Sequence, residues 1–209
     1  MHPLFSRLNS YSPRSTLLNG DFNEQARSKL ALQDFDLLRT IGTGHSSKVH
    51  LARHKKSSLV VVLKAIPQSY AKCIRSEKLA LKKIRCPFIV KLFGVFEDNL
   101  NTYMVEEFVP GGELYQRLDA EISIEEARFY TIEISSALMH LHSRCIIYRD
   151  LKPENVLLTQ SGHIKLVDFG LSRHLSQDKC FTMCGTQGYL APEVLLGVCL
   201  LYTSDAADE

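Results

Sequence analysis

The stretch that decides the fold is the segment YRDLKPENVLL, residues 148–158. An apolar run ends in this charged loop, and a second apolar strand leaves it. Loops positioned by a rigid scaffold are where catalytic groups usually lie. Within the loop, Asp150 is able to accept a hydroxyl proton, Asn155 to hold a metal ion, and Lys152 to neutralise a transferring phosphate.

A second acid, Asp168, follows at the end of another predicted strand, in the segment VDFG at 167–170. An acid, a lysine, an amide and a second acid are the groups that phosphoryl transfer needs. Each of these groups alone would be a weak signal. Their order and spacing together indicate a site for phosphoryl transfer.

This order and spacing resemble the catalytic loop and the metal-binding loop of the eukaryotic protein kinases. The resemblance covers roughly residues 35–197 and implies an α+β, two-lobed protein kinase fold. The small antiparallel-sheet lobe, over 35–106, is expected to be complete. The helical lobe, which follows with the hinge over 107–198, is expected to be incomplete.

Three features resemble the AGC group of Ser/Thr kinases, and within it the cyclic-AMP-dependent kinases. They are Tyr148 in place of the common histidine, the run CGT at 184–186, and the run PGGE at 110–113. By the same resemblance, Lys152 indicates Ser or Thr rather than Tyr as the accepting residue in protein substrates.

A glycine-containing hairpin is predicted at the start of the small lobe. Residues 35–41 read as a strand, GTGHSS at 42–47 as a turn, and 48–52 as the returning strand. Gly42 and Gly44 carry no Cβ, so the backbone amides of the turn are able to approach phosphates closely. A GxG run alone is most often an ordinary turn, and its place one strand before a buried lysine is what favours phosphate binding.

That lysine is Lys64, the only charged residue in the apolar run 58–66. Charged groups are rarely buried unless they are paired, and the predicted partner is Glu77, on a helical stretch at 73–84. In the kinase resemblance the lysine binds the α- and β-phosphates of ATP and the glutamate orients it. The alternative is an edge-strand lysine whose side chain extends into solvent.

The resemblance implies ATP and Mg²⁺ as cofactors, with Asn155 and Asp168 as the metal ligands. At the hinge, backbone groups of residues such as Glu107 and Val109 are expected to pair with adenine. Besides Lys64 and Glu77, the implied nucleotide-binding residues come from both lobes and are Gly42, Gly44, Val49, Val62, Glu107, Val109, Glu113 and Leu157.

Three residues depart from the kinase pattern. Ser47 stands in place of the third glycine, Val62 where alanine is usual, and Glu106 at the gatekeeper position, where an apolar residue or threonine is usual. Strand alternation predicts that Glu106 and the next residue face opposite ways. A carboxylate at Glu106 is costly to bury and could compete with Glu77 for the buried lysine.

The segment after the VDFG run resembles a kinase activation loop. The resemblance places Thr182 at the usual activating phosphosite, where a phosphate added by an upstream kinase would pair with Arg149. It also implies that Thr186 contacts Asp150 and Lys152.

Glu113 and Glu154 match acidic positions that read arginines before the target residue in the AGC group. The implied protein substrates therefore carry basic, arginine-containing sequences. The alternative is that both side chains are solvated glutamates.

The expected function is that of a protein serine/threonine kinase, which transfers the γ-phosphoryl group of Mg-ATP to Ser or Thr hydroxyls and is open to control by a regulatory subunit. A nucleotide-binding pseudokinase or regulatory scaffold is the alternative. The departures from the kinase pattern at Ser47, Val62 and Glu106 motivate this alternative.

A long amphipathic helix is predicted to carry the catalytic loop. The run SIEE at 123–126 is a capping box, and the helix is expected to reach about His142. Its predicted buried face comprises Ala127, Tyr130, Ile134, Ala137, Leu138 and Leu141.

Composition excludes several other classes of protein. The 209 residues are 45% hydrophobic and 23% charged, with Lys+Arg 25 against Asp+Glu 23, which is too balanced for a dedicated nucleic-acid binder. The sequence contains no run of about 18 uncharged apolar residues, so no membrane span is predicted. The six cysteines form no CxxC pair, so we expect reduced thiols and a cytoplasmic or nuclear location.

Both ends of the chain differ from the kinase pattern. Residues 1–34 are expected to form a disordered tail, with a docking or targeting segment as the alternative. Residues 199–209 resemble the translation of a sequencing-library adapter and are interpreted as an artefact. Because the helices that follow in the family are missing, we expect residues 1–209 alone to be unstable and nearly inactive.

Overall fold

The computed structural model describes residues 30–44, 47–70, 77–78, 81–82, 84–175 and 184–196. The small lobe is a five-stranded antiparallel sheet with the order β1-β2-β3-β5-β4, which confirms the predicted sheet. Its strands are β1 (Phe35–Thr43), β2 (Lys48–His54), β3 (Val60–Pro67), β4 (Leu92–Glu97) and β5 (Asn101–Glu107). The first two strands run two residues beyond their predicted ends, because pairing continues from Phe35 opposite His54 to Thr43 opposite Lys48.

The outer face of the sheet carries its own apolar cluster. The rings of Phe35 and Phe96 stack at 5.7 Å, and those of Phe96 and Tyr103 at 4.8 Å. Leu30 and Leu32 pack against this cluster, and a turn of 3₁₀ helix spans Leu32–Asp34. The folded part therefore includes the last five residues of the predicted tail. Residues 1–29, Thr182 and the predicted artefact at 199–209 lie outside the described residues.

The second lobe holds the three helices whose bounds the structure describes, while residues 77–78 and 81–82 before the hinge are also helical. The three helices are α1 (Leu114–Leu118), α2 (Ile124–His142) and α3 (Pro192–Leu195). Two short antiparallel ladders pair β6 (Ile146–Ile147) with β9 (Arg173–His174) and β7 (Val156–Leu158) with β8 (Ile164–Leu166). Sheet and helices together confirm the α+β, two-lobed fold with an incomplete helical lobe.

The inner face of the sheet and the second lobe share one apolar core. Met104 of β5, Leu166 of β8 and Phe169 are fully buried members of this core. Burial of such side chains is the main favourable term in folding. Because the same core continues from the sheet into α2, β7 and β8, it fixes the catalytic loop below the sheet.

The long helix α2 begins where its capping box predicts. The Ser123 hydroxyl accepts the amide of Glu126 at 3.1 Å, and the Glu126 carboxylate accepts the amide of Ser123 at 3.2 Å. Its buried residues are Tyr130, Glu133, Ala137 and Leu141. Three of the six predicted residues are therefore buried, the other three, Ala127, Ile134 and Leu138, are partly buried, and the prediction omitted a glutamate. Within the described part of the chain, no helix combines the length and the apolar character that crossing a bilayer needs.

The link between the lobes is fastened to β7 just after the hinge. The Gly111 amide donates to the Leu158 carbonyl at 2.8 Å, and the Leu158 amide donates to the Gly112 carbonyl at 2.8 Å. A Cβ on Gly111 would lie 2.3 Å from the Leu158 oxygen, so this close approach requires glycine. A second tie, from the Val90 amide to the Leu166 carbonyl at 2.9 Å, joins the small lobe to β8.

Candidate active site

A cavity of about 380 Å³ lies between the sheet and β7. Both strands of the glycine hairpin, the hinge and the start of the second lobe contribute to its walls. Nine of the ten residues predicted to bind nucleotide line it, namely Gly42, Gly44, Val49, Val62, Lys64, Glu107, Val109, Glu113 and Leu157. The tenth, Glu77, contacts Lys64 instead.

Lys64 joins acids from two parts of the chain. Its ammonium lies 2.8 Å from Glu77 and 2.9 Å from Asp168, so the predicted partner is in place and the edge-strand alternative does not apply. Burial by itself would lower the pKa of Lys64, but the charges of Glu77 and Asp168 outweigh it and raise the pKa. The side chain is therefore a permanent cation at the back of the cavity.

Asp168 is held in an uncommon backbone conformation, with φ at 54°. Left-handed non-glycine residues are strained and cluster at functional sites. Desolvation would raise the pKa of Asp168, but the charge and hydrogen bond of Lys64 and the hydrogen bond of the Gly170 amide lower it. Asp168 therefore presents an ionised carboxylate to the cavity at neutral pH.

Asp150 is buried and has three side-chain neighbours that fix its carboxylate. The Thr186 hydroxyl donates to Oδ1 at 2.6 Å, the Asn155 amide donates to Oδ2 at 2.8 Å, and the Lys152 ammonium lies 3.2 Å from Oδ2. Lys152 also donates to the Thr186 hydroxyl at 2.7 Å. Lys152 and Thr186, which are 34 positions apart, thus both contact Asp150. The Asp150 carboxylate is therefore oriented before any substrate binds.

Asn155 owes its position to a turn of 3₁₀ helix at Pro153–Asn155. Its amide nitrogen also donates to the backbone carbonyl of Asp150 at 2.9 Å. Among the described residues no group of three or more His, Cys, Asp and Glu could hold a metal ion alone. One amide and one carboxylate, from Asn155 and Asp168, instead fit Mg²⁺, which usually takes one or two protein ligands and completes its shell with phosphates and water.

Tyr148 supports the strand ends that carry the acids. Its hydroxyl donates to the Val167 carbonyl, and its ring meets that of Phe169 edge-on at 5.0 Å. Burial, aided by the charges of Asp168 and Asp150, raises the pKa of the hydroxyl. Tyr148 therefore stays neutral and connects the two acidic loops.

Besides Thr186 at Asp150, the predicted regulatory residues are Arg149 and Thr182, and the predicted substrate-binding residues are Glu113 and Glu154. Arg149, with φ at 69°, donates from Nε to the Leu171 carbonyl at 2.6 Å, while its predicted partner Thr182 lies outside the described residues. Glu113 occupies the N-cap position of α1 without a side-chain capping hydrogen bond, and its backbone pairs with that of Leu157. Glu154 lines the cavity, and one of its carboxylate oxygens is buried and accepts no hydrogen bond from any residue that the structure describes.

Glu106 lines the cavity and is 7% exposed, whereas its neighbour Glu107 is only partly buried and its carboxylate contacts Lys165 of β8. Lys64 forms its ion pairs with Glu77 and Asp168 and acts on Glu106 only through its charge at longer range. Burial raises the pKa of Glu106 to about 8, although Lys64 acts in the opposite direction. Glu106 is therefore mostly a neutral carboxylic acid at pH 7.

One hydrogen-bonded pair and one ion pair near the site could not be predicted from the sequence. Glu133 on α2 contacts the His163 ring at 2.6 Å and accepts the Ile164 amide at 2.9 Å. Glu107 contacts the Lys165 ammonium at 2.9 Å and accepts the Lys91 amide at 3.2 Å. The signal for Glu133 was its place three residues after Tyr130 on the buried stripe, since a buried carboxylate needs a partner.

Comparison with known protein families gives a match over most of the chain. The family model of the protein kinase domain matches residues 35–208. The chain is 45% identical over 173 residues to the cAMP-dependent protein kinase catalytic subunit PRKX of Homo sapiens. It is 43% identical over 188 residues to the serine/threonine-protein kinase YPK1 of Saccharomyces cerevisiae.

A third relative, the cAMP-dependent protein kinase catalytic subunit of Arthrobotrys oligospora, is 38% identical over 208 residues. These three alignments cover 79%, 85% and 93% of this chain. They cover 48%, 28% and 40% of the respective relatives. The chain thus spans half or less of the length of the curated relatives it matches.

Proposed function

Since the chain belongs to the protein kinase family, we propose that it transfers the γ-phosphoryl group of Mg-ATP to Ser or Thr hydroxyls of protein substrates. The observation that carries the proposal is the contact of Lys64 with both Glu77 and Asp168 inside the cavity. It links a cation suited to phosphates with an acid suited to a metal ion. The AGC-type relatives, which are named as cAMP-dependent and serine/threonine kinases, support the same reading.

In the proposed reaction, Asp150 orients the substrate hydroxyl and accepts its proton. Thr186 and Asn155 hold the carboxylate so that little reorganisation is needed when the proton arrives. Lys152, 3.2 Å from that carboxylate, balances negative charge on the transferring phosphoryl group. Lys64 binds the phosphates that remain with the nucleotide.

Asn155 and Asp168 are the residues that would hold Mg²⁺. The ion would supply neutralisation of phosphate charge in the transition state. The low pKa of Asp168 supports this role, because a metal ligand must be deprotonated. The adenine ring is expected to pair with backbone groups of Glu107 and Val109, which line the cavity.

Substrate recognition and regulation are part of the proposal. The buried, unpaired carboxylate oxygen of Glu154 is suited to an arginine of a basic substrate, together with Glu113. Phosphate on Thr182, added by an upstream kinase, would pair with Arg149. A regulatory subunit would act on the same substrate-binding face.

The test is phosphate transfer from radiolabelled Mg-ATP to an arginine-containing Ser peptide. Asp150→Asn keeps the size of the side chain but removes the proton acceptor, so we expect a loss of at least about 10²-fold in kcat. Asp119→Asn, at an exposed position after α1, is the matched control and should leave kcat unchanged. Retained turnover in Asp150→Asn would refute the assignment.

A nucleotide-binding pseudokinase is the second candidate, and Glu106 in the cavity wall favours it most. Thermal unfolding with and without Mg-ATP, measured beside the peptide assay, separates the two. A rise in the melting temperature without turnover would support the pseudokinase. Binding together with turnover would support the kinase.

A further inference from the structure

The side chain of Glu106 lines the cavity and has no hydrogen-bond partner in the described part of the protein. The residue as a whole is 7% exposed. It forms no hydrogen bond or ion pair with any residue that the structure describes. Its carboxyl oxygens are not enclosed atoms without a partner, as one oxygen of Glu154 is, so they reach the open space of the cavity, where a ligand can meet them.

The nearest cation cannot serve as that partner. Lys64 is already bound to Glu77 at 2.8 Å and to Asp168 at 2.9 Å. These three residues and Glu106 act on one another electrostatically. Glu106 is left outside these two ion pairs, so its carboxyl group is available to a cationic ligand that enters the cavity.

The position of Glu106 determines where such a cation must come from. Glu106 pairs with Val62 of β3 across the sheet and with Leu92 of β4 on its other side. Apolar neighbours on both strands leave the cavity as the direction from which a charged partner can approach. The cavity also has apolar walls at Val49, Val62 and Leu157, which suit a flat aromatic ring.

We propose that Glu106 makes the back of this cavity a recognition site for a basic amine carried on a flat aromatic ligand. Such a ligand would place its ring between the apolar walls and its ammonium against the Glu106 carboxylate. Charge-assisted hydrogen bonds of this kind are short and strong in a site with little water. The proposal concerns binding alone and does not depend on phosphoryl transfer.

The probes are isoquinolines that carry an aminomethyl group at each ring position in turn. Each is paired with the isoquinoline that carries an ethyl group at the same position, so that a pair differs by an ammonium in place of a methyl. Isothermal titration calorimetry at pH 7 gives the Kd of each. For at least one position we expect the aminomethyl compound to bind about tenfold or more tightly than its ethyl partner.

Glu106→Gln is the decisive variant, because it keeps the size and removes the charge. The preference for the ammonium should disappear in this variant and persist in Glu97→Gln, an exposed control on β4. Equal binding of both compounds at every ring position would overturn the proposal. So would a preference that survives in Glu106→Gln, since another acid would then bind the amine.

If Glu106→Gln does not fold, the wild-type protein decides the question. Binding of an ammonium ionises the buried acid, so the heat of binding should vary with the ionisation enthalpy of the buffer as a proton is released. Proton release with the aminomethyl compound and none with its ethyl partner supports the proposal. Equal proton release with both compounds contradicts it. Turnover is not measured here, so this outcome is separate from the kinase test.

Discussion

The carboxylate of Glu107, the last residue of β5, lies 2.9 Å from the ammonium of Lys165 on β8. The two side chains are 28% and 15% exposed, so solvent screens the pair only in part. The pair joins the hinge to the strand that leads into Asp168. It is therefore a link between the lobes at the wall of the cavity, which Glu107 also lines.

Lys165→Met removes this charge while keeping most of the aliphatic stem. We expect the free energy of unfolding to fall by about 1–2 kcal/mol, because a hydrogen bond to a charged group is lost. Urea unfolding followed by circular dichroism measures the change. Lys55→Met breaks a surface pair with Asp36 at 3.7 Å and should change stability by less than about 0.5 kcal/mol. Equal losses in the two variants would mean that Glu107 and Lys165 contribute no more than a surface pair.

Glu133→Ala should lower the free energy of unfolding by more than Lys165→Met, which removes the Glu107–Lys165 pair. The variant leaves the buried Ile164 amide without its acceptor, and we expect a loss of about 2–3 kcal/mol in the free energy of unfolding. Glu133→Gln keeps an acceptor oxygen and should lose less. Glu125→Ala, on the exposed face of the same helix, should stay within about 0.5 kcal/mol of wild type. A loss in Glu133→Ala as small as that control would show that this carboxylate does not anchor α2.

Glu106 predicts a specific dependence of stability on pH. Its pKa is about 8 in the folded protein against an ordinary value of 4.5, so between these values the folded state holds a proton that the unfolded state has released. Wild type should therefore lose up to a few kcal/mol as the pH rises from about 4.5 to 8. Glu106→Gln should lack this loss, whereas Glu97→Gln should retain it. Melting temperatures across this range test the idea, which fails if wild type and Glu106→Gln show the same slope.

Gly111→Ala tests the close approach of the hinge to β7. The new Cβ would lie 2.3 Å from the Leu158 oxygen and 2.8 Å from its carbon, and backbone atoms cannot move aside as a side chain can. We expect a loss of about 2 kcal/mol or more in the free energy of unfolding. Gly162→Ala has φ at 83° but no atom within 4 Å, so it should cost only about 1 kcal/mol in backbone strain. If both variants lose the same free energy of unfolding, a Cβ at residue 111 does not clash with the Leu158 backbone.

The elements and residues that could be predicted are those fixed by local rules. The capping box at Ser123 located the start of α2, and the isolated charge in an apolar strand predicted a partner for Lys64. Glu77 was found because a buried ammonium needs an acid and the next helix offered one. The resemblance to a kinase activation loop predicted the contacts of Thr186 with Asp150 and Lys152, and Asp168 lines the cavity as expected of a residue beside the nucleotide.

The contacts that could not be predicted join residues that are far apart in the sequence. Helical periodicity places Glu133 on the buried face of α2. It does not show that His163, 30 positions later, forms a hydrogen bond with Glu133. Lys165 and Glu107 are 58 positions apart, and no local pattern connects them. The shift in pairing between β1 and β2 after Thr40 is likewise a property of two strands together.

The hinge is held at both of its ends. Glu107 is fixed by Lys165 and by the Lys91 amide, and Gly111 is fixed by Leu158. Both ends of the hinge are thus tied to the second lobe, Glu107 to Lys165 of β8 and Gly111 to Leu158 of β7. A rotation of the small lobe must therefore break the Glu107–Lys165 ion pair or bend β5 before Glu107. Pro110 has a nearly fixed φ and adds to the rigidity of the segment between the two ties, which includes the residue proposed to pair with adenine. An adenine ring would thus meet a hinge backbone that the second lobe already holds in place.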